Sequence, residues 1–185
     1  MIWLIGPGGA GKSTAGPLVA HRLGLPFHDL DGRFAERFGG VDEFMAARGY
    51  GGYARANVEA YLSVLEDARP SVVALSSGFM TYPPGVHPGY PELRREVEGS
   101  PATFVLLPSL DLETCVAETV RRQLARPFRR AASREEAVIR ERFPVYAAMP
   151  AHTVETMRPP ADVAAAILAR LSPRVCPSPA TGAPL

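Results

Sequence analysis

The chain has 185 residues, a formal net charge of +1, 46% hydrophobic and 21% charged residues. That length suits one domain with a full core, and the charge balance gives no reason to expect nucleic acid or an anionic membrane as a partner. Two cysteines, Cys115 and Cys176, suggest neither a disulfide framework nor a metal site; no stretch reaches transmembrane length, no signal peptide is read at the N-terminus, and a cytoplasmic protein is expected.

Met1 to Ile5 is an apolar run long enough for one buried strand. It leads into Gly6-Pro7-Gly8-Gly9-Ala10-Gly11-Lys12-Ser13-Thr14, which fits the G-x-x-x-x-G-K-[ST] phosphate-binding pattern without a gap. Ser13 to Leu23 then reads as a helix. The glycines let the loop curl so that successive N–H groups point inward as a nest for phosphate oxygens. The helix start adds open N–H groups and the positive end of its dipole. Gly8, Gly9, Ala10, Gly11, Lys12, Ser13 and Thr14 are therefore expected to hold a nucleotide. Lys12 reaches the β- and γ-phosphates, and the Ser13 hydroxyl suits Mg²⁺. A glycine-rich turn with a chance lysine is the plainer alternative. Against it, the chain holds nineteen arginines and one lysine, Lys12, and the two side chains are not interchangeable at such a site.

Leu25 to Leu30 reads as a second strand, ending in His28-Asp29-Leu30-Asp31. Ligands collect at the carboxyl ends of strands in open α/β sheets. Asp29 would suit the metal, and Asp31 the acceptor hydroxyl. Helix capping by Asp31 is the competing reading. Gly32 to Arg48 is helical but broken at Gly39-Gly40, Gly49 to Gly52 is a joint around Tyr50, and Tyr53 to Asp67 is a helix. Arg55, in the first turn of that helix, is poorly placed for the helix dipole, which favours a ligand role. Ser71 to Leu75 is a third strand, ending in Ser76-Ser77-Gly78-Phe79 without an acid.

Tyr82 to Pro91 is proline-rich, holds His87, Tyr82 and Tyr90, and reads as a surface loop near the strand ends, a connector first and a wall of an acceptor pocket as the competing reading. Glu92 to Glu98 is a short helix, and Thr103 to Leu107 a fourth strand. Asp111 opens a helix running to Leu124. Arg121, Arg122, Arg126, Arg129 and Arg130 follow within ten residues, and Pro127 interrupts them. A basic solvated face explains most charge runs; a mobile lid closing over phosphates, at about 122–133, fits this one. Ser133 to Tyr146 begins with a capping signature. His152 to Thr156 is a fifth strand, Pro160 to Leu171 a closing helix, and 173–185 a tail with little to bury. Five strands alternating with helices imply an α/β fold with a mostly parallel sheet.

Taken together, these segments resemble shikimate kinase, within the nucleoside monophosphate kinase group of P-loop folds. The phosphate loop, the Asp29-x-Asp31 pair, Arg126-Pro127 and Arg142-x-Pro144-x-Tyr146 carry the resemblance, over nearly all of one domain at 1–172. It implies a three-layer P-loop NTPase fold with a five-stranded parallel sheet in the order 2-3-1-4-5, helices on both faces and a lid. It also implies ATP with Mg²⁺ and transfer of the γ-phosphoryl group to a hydroxyl. By the same likeness Asp31 activates the acceptor, Arg142 clamps an acceptor carboxylate, Arg126 bridges lid, nucleotide and acceptor, and Arg121 or Arg122 stacks near adenine. Two positions depart from it. The family's acceptor arginine falls on Ala54, with Arg55 next door, and the triple glycine after the third strand reads Ser77-Gly78-Phe79, where Gly78 would touch the acceptor and Phe79 would fill its space. Three hypotheses follow: a kinase for shikimate or a related compound, a kinase for another acceptor (a sugar acid, a nucleoside or an antibiotic hydroxyl), and a nucleotide-gated binding module.

Overall fold

The structure, a computed structural model, describes residues 1–125 and 131–171. Strand β1 (Ile2–Ile5) is buried along its whole length. Its side chains alternate between two cores: Ile2 and Leu4 face one, Trp3 and Ile5 the other. A strand covered on both faces reads as a continuous apolar run, which is why the sequence signal is so plain here. Around it lie α1 (Lys12–Leu23), β2 (Phe27–Asp29), α2 (Leu30–Phe38), α3 (Val41–Leu65), β3 (Val72–Ala74) and α4 (Tyr90–Gly99). The second half adds β4 (Thr103–Leu107), α5 (Leu112–Leu124), α6 (Ala132–Ala147), β5 (His152–Glu155) and α7 (Pro160–Leu168). The strands form one five-stranded sheet in the order β2-β3-β1-β4-β5, every neighbouring pair parallel. This is the α/β arrangement expected, in the expected order.

Helices cover both faces. Residues of α1 and α7 pack with Ile2, Leu4, Phe104 and Leu106 in one core; residues of α3, α4 and α6 pack with Trp3, Ile5, Val105 and Leu107 in the other. Burying each such aliphatic side chain contributes roughly 1.5–3 kcal/mol. Among the described residues, no helix is long and apolar enough to cross a membrane.

Several boundaries differ from the sequence reading. β2 is shorter, and Leu30, fully buried, already belongs to α2. The break expected at Gly39-Gly40 separates α2 from α3, and the joint expected at Gly49 to Gly52 narrows to one non-helical residue inside α3, Gly49, at φ 68 and ψ 174. α6 starts at Ala132 with Ala131 before it, so Ser133 lies inside the helix and caps nothing; alanines are good helix formers and carry the helix further upstream. The stretch read as a surface loop, Tyr82 to Pro91, is exposed at Pro83, Pro84, Gly85 and Pro88 but anchored in the core at Tyr82 and Tyr90. Of two short 3-10 turns, Phe79–Thr81 is packed inward and Pro84–Val86 is not, and Phe79, Tyr82 and Tyr90 are among the most buried side chains. Tyr90 donates its hydroxyl to the Phe79 carbonyl at 2.6 Å, which lets a polar ring sit in the core. Of the segment read as a lid, at about 122–133, residues 126–130 with Arg126 lie outside the described residues, as does the tail beyond 171 with Cys176.

Candidate active site

The loop between β1 and α1 bends through left-handed glycines at Gly9 (φ 77) and Gly11 (φ 96). Gly11 is the N-cap of α1 and supplies no side chain, so the helix start is open to an anion. Lys12 is buried, and its Nζ donates to the Gly6 carbonyl at 2.7 Å and the Pro7 carbonyl at 3.0 Å. The ammonium thus crosses the mouth of its own loop. Ser13 and Thr14 are exposed and line the adjoining cleft. Ala10 behaves differently: it is fully buried in the core, its N–H closes a turn onto Pro7, and it does not line the cleft.

The cleft has a volume of about 380 Å³ and runs from Gly8, Gly9, Gly11 and Lys12 past Asp29 and Asp31 to Gly78 and Arg142. The two acids divide their work. Asp29 ends β2 and caps α2, accepting from the Asp31 N–H at 3.0 Å. The capping role considered for Asp31 therefore falls on Asp29, and Asp31 is left to the cleft. One oxygen of Asp31 accepts from Ser76 Oγ at 2.5 Å. Ser76 in turn accepts from the Asn57 amide at 2.9 Å, and Asn57 accepts from the Tyr82 hydroxyl at 3.1 Å. Asn57, Ser76 and Tyr82 are buried, so a fixed chain of donors holds one carboxylate oxygen of a side chain that lines the cleft. Burial pushes the Tyr82 hydroxyl well above its ordinary pKa, which keeps it a proton donor.

Arg142, on α6, donates through Nη1 to Ser77 Oγ at 3.0 Å and through Nη2 to the Tyr50 hydroxyl at 3.1 Å. Tyr146, one turn on, donates to the Ser77 carbonyl at 2.9 Å and fixes the helix against the end of β3. Val41, Asp42, Met45 and Tyr53 complete this end of the cleft. Arg55 does not reach it. Its side chain is 61% exposed and pairs with Glu59 one turn along α3 at 3.6 Å. Nor does Phe79 fill acceptor space: its ring packs 5.1 Å from Tyr61 and 5.7 Å from Tyr90, in the core.

On the other side of the loop, Arg122 donates to the Gly9 carbonyl at 3.2 Å and to Thr156 Oγ1 and O at 3.1 and 2.9 Å. With Gly11, Thr14, Arg158 and Pro160 it lines a second opening of about 370 Å³. Arg121 points outward and pairs with Glu118, so of the two arginines considered for the base only Arg122 borders the loop. Gln123 and Glu135 also line the main cleft, 3.3 Å apart.

Residues 8–172 match the family model described as shikimate kinase. The chain belongs to the shikimate kinase family. Members of this family are P-loop kinases that pass a phosphoryl group from ATP to a hydroxyl of a small molecule. Shikimate kinase of Mycobacterium avium (strain 104) is 31% identical, with 91% of each chain covered. Shikimate kinase of Chlorobium chlorochromatii is 37% identical, but that match spans only 45% of this chain and 44% of the relative. Among solved structures, shikimate kinase from Acinetobacter baumannii in complex with shikimate superposes with a TM-score of 0.68 at 25% identity, covering 90% of this chain and 89% of that one.

Asn57 and Asp42 were passed over in the sequence, while Tyr82 and Tyr50 stood out there only as parts of a loop and a joint. Asn57 and Tyr82 reach Asp31 only through long-range contacts. For Tyr50 a signal did exist, since a large aromatic between glycines is an unusual occupant of a joint.

Proposed function

We propose that this chain transfers the γ-phosphoryl group of ATP, with Mg²⁺, to a hydroxyl of shikimate or a related small polyhydroxylated acid. The observation that carries the reading is Asp31: a carboxylate held by a buried relay and sharing one cleft with the phosphate loop. In this account Asp31 takes the acceptor's hydroxyl proton as the new O–P bond forms and the bond to the β–γ bridging oxygen breaks. The Gly8, Gly9 and Gly11 backbone and Lys12 cradle the phosphates, and Lys12 exchanges its loop carbonyls for phosphate oxygens. Ser13 and Asp29 would hold Mg²⁺; the donor set fits, because Mg²⁺ is usually bound by one or two protein oxygens plus phosphate and water. The metal would neutralise charge on the transferring group. Arg142 orients an acceptor anion and Arg122 borders the nucleotide; by the family likeness Arg126 would bridge lid, nucleotide and acceptor. A small soluble acceptor and a cytoplasmic site of action complete the reading.

A second reading keeps the chemistry and changes the acceptor. Ala54, where the family resemblance places an acceptor arginine, is fully buried, and Asp42 adds a carboxylate to the acceptor end. Both features favour an acceptor richer in hydroxyls than in negative charge. The test is a panel of hydroxyl acceptors with labelled ATP, run on wild type and Asp31→Asn. We expect Asp31→Asn to bind ATP normally and to lose transfer by several orders of magnitude. Near-normal turnover in that variant removes the proposed base.

A further inference from the structure

Tyr50 has no part in the roles assigned above, yet several features converge on it. It directly follows the break at Gly49. Its ring centroid lies 6.0 Å from those of Tyr53 and Tyr82, and it lines the cleft while remaining 46% exposed. Its hydroxyl accepts an N–H from Arg142 at 3.1 Å. The backbone opposite is shaped to this pair. A Cβ at Gly78 would stand 2.7 Å from the Tyr50 hydroxyl and 3.0 Å from Arg142 Nη2, so a side chain there would push this pair aside.

Arginine has five donors and no acceptor, so in this bond the phenol oxygen must accept. Its own proton is then available to a further partner. A guanidinium aiming a phenol in this way builds one donor surface from two residues. We propose that Tyr50 is a specificity-determining residue of the acceptor site, donating its hydroxyl proton to an oxygen of the acceptor while its ring forms one wall of the subsite. The inference rests on the kinase reading above and narrows it. Asp31 and Asp42 accept hydrogen bonds; Arg142, Tyr50 and Ser77 donate them. An acceptor that satisfies both sets is a small polyol with one anionic or carbonyl group: its hydroxyls face the two carboxylates, and its charged oxygens face Arg142 and Tyr50.

Tyr50→Phe is the direct test, with Tyr50→Ala beside it and shikimate and gluconate as probes. For whichever probe is phosphorylated, Tyr50→Phe should raise the acceptor KM about threefold to tenfold, the range of one lost hydrogen bond. Tyr50→Ala should raise it further. The KM for ATP and the melting temperature of Tyr50→Phe should stay at wild-type values. An acceptor KM indifferent to Tyr50→Phe, in an active wild-type enzyme, overturns the role of Tyr50 and leaves the kinase reading intact. A parallel rise in the KM for ATP, or a lowered melting temperature, marks a structural role and overturns it as well. Wild-type protein that phosphorylates neither probe defeats the acceptor reading and, with it, this inference.

Discussion

Asn57 shows how much one buried amide decides. It is fully buried, and it links the Tyr82 hydroxyl to Ser76, which holds Asp31. Asn57→Leu keeps the branched shape and heavy-atom count and removes both contacts. The Tyr82 hydroxyl is then left without its acceptor in a dry site, which costs about 1–3 kcal/mol. Ser76 also becomes free to rotate, so Asp31 loses its fixed orientation. We expect a lower urea midpoint with an unchanged slope, and a kcat reduced by about tenfold or more as positioning is lost. If stability falls while kcat is untouched, the relay supports the fold and not the base. None of this was legible in the sequence. The gathering of the phosphate loop, Lys12, Asp29 and Asp31 at one cleft was, because they lie within one strand–loop–helix unit or at a neighbouring strand end, where local pattern fixes position. Arg55 was misread for the same reason: dipole arguments act along one helix, and they do not tell which way a side chain turns in the assembled fold.

Elements follow the same rule. β4 is found at Thr103–Leu107, as its apolar run implies, and Asp111 caps α5 by accepting from the Thr114 N–H at 2.9 Å. Both depend on neighbours in sequence. The Tyr82–Pro91 stretch is exposed where Pro83, Pro84 and Pro88 lie, as read, but proline content is silent on its ends, where Tyr82 and Tyr90 are buried. α3 lies between these cases. Its glycines announce a break, and the structure narrows that break to Gly49, at a backbone angle that a side chain rarely adopts. No atom lies within 4 Å of a Cβ built there, so a substitution meets backbone strain alone. Gly49→Ala should therefore cost about 1–3 kcal/mol. It should also raise the acceptor KM, since Tyr50 takes its position from this break. Denaturant unfolding and acceptor kinetics check the two effects separately. Unchanged stability would mean that the chain reaches Tyr50 by another backbone path.

At the scale of the whole molecule, the sheet is held between apolar layers that pH does not touch, but the wall of the nucleotide side is tied by charge. Glu118 accepts from Arg121 Nε and Nη2, both at 2.7 Å, and from Arg122 Nε at 2.6 Å. Arg122 carries that tie to Gly9 of the phosphate loop and to Thr156 beyond β5. Glu113 on α5 is gripped by Arg140 on α6 in the same two-pronged way. The Arg121 hydrogen bonds pull the Glu118 carboxyl from its ordinary 4.5 down to about 2; partial burial opposes this, and Arg122 adds to it. The Arg140 hydrogen bonds likewise lower Glu113. A carboxyl whose pKa is depressed on folding stabilises the fold fully above its unfolded value, and that contribution is lost as pH falls toward the folded one. Acid should therefore weaken this protein between pH 4.5 and about 2, and the α5–α6 side and the loop it braces should loosen before the apolar layers do. Glu118→Gln removes one such contribution. Its melting temperature should lie below wild type near neutral pH, and the two should converge as pH approaches the folded value. A constant gap between the two curves across that window would show that Glu118 acts through packing, with its charge irrelevant to the wall.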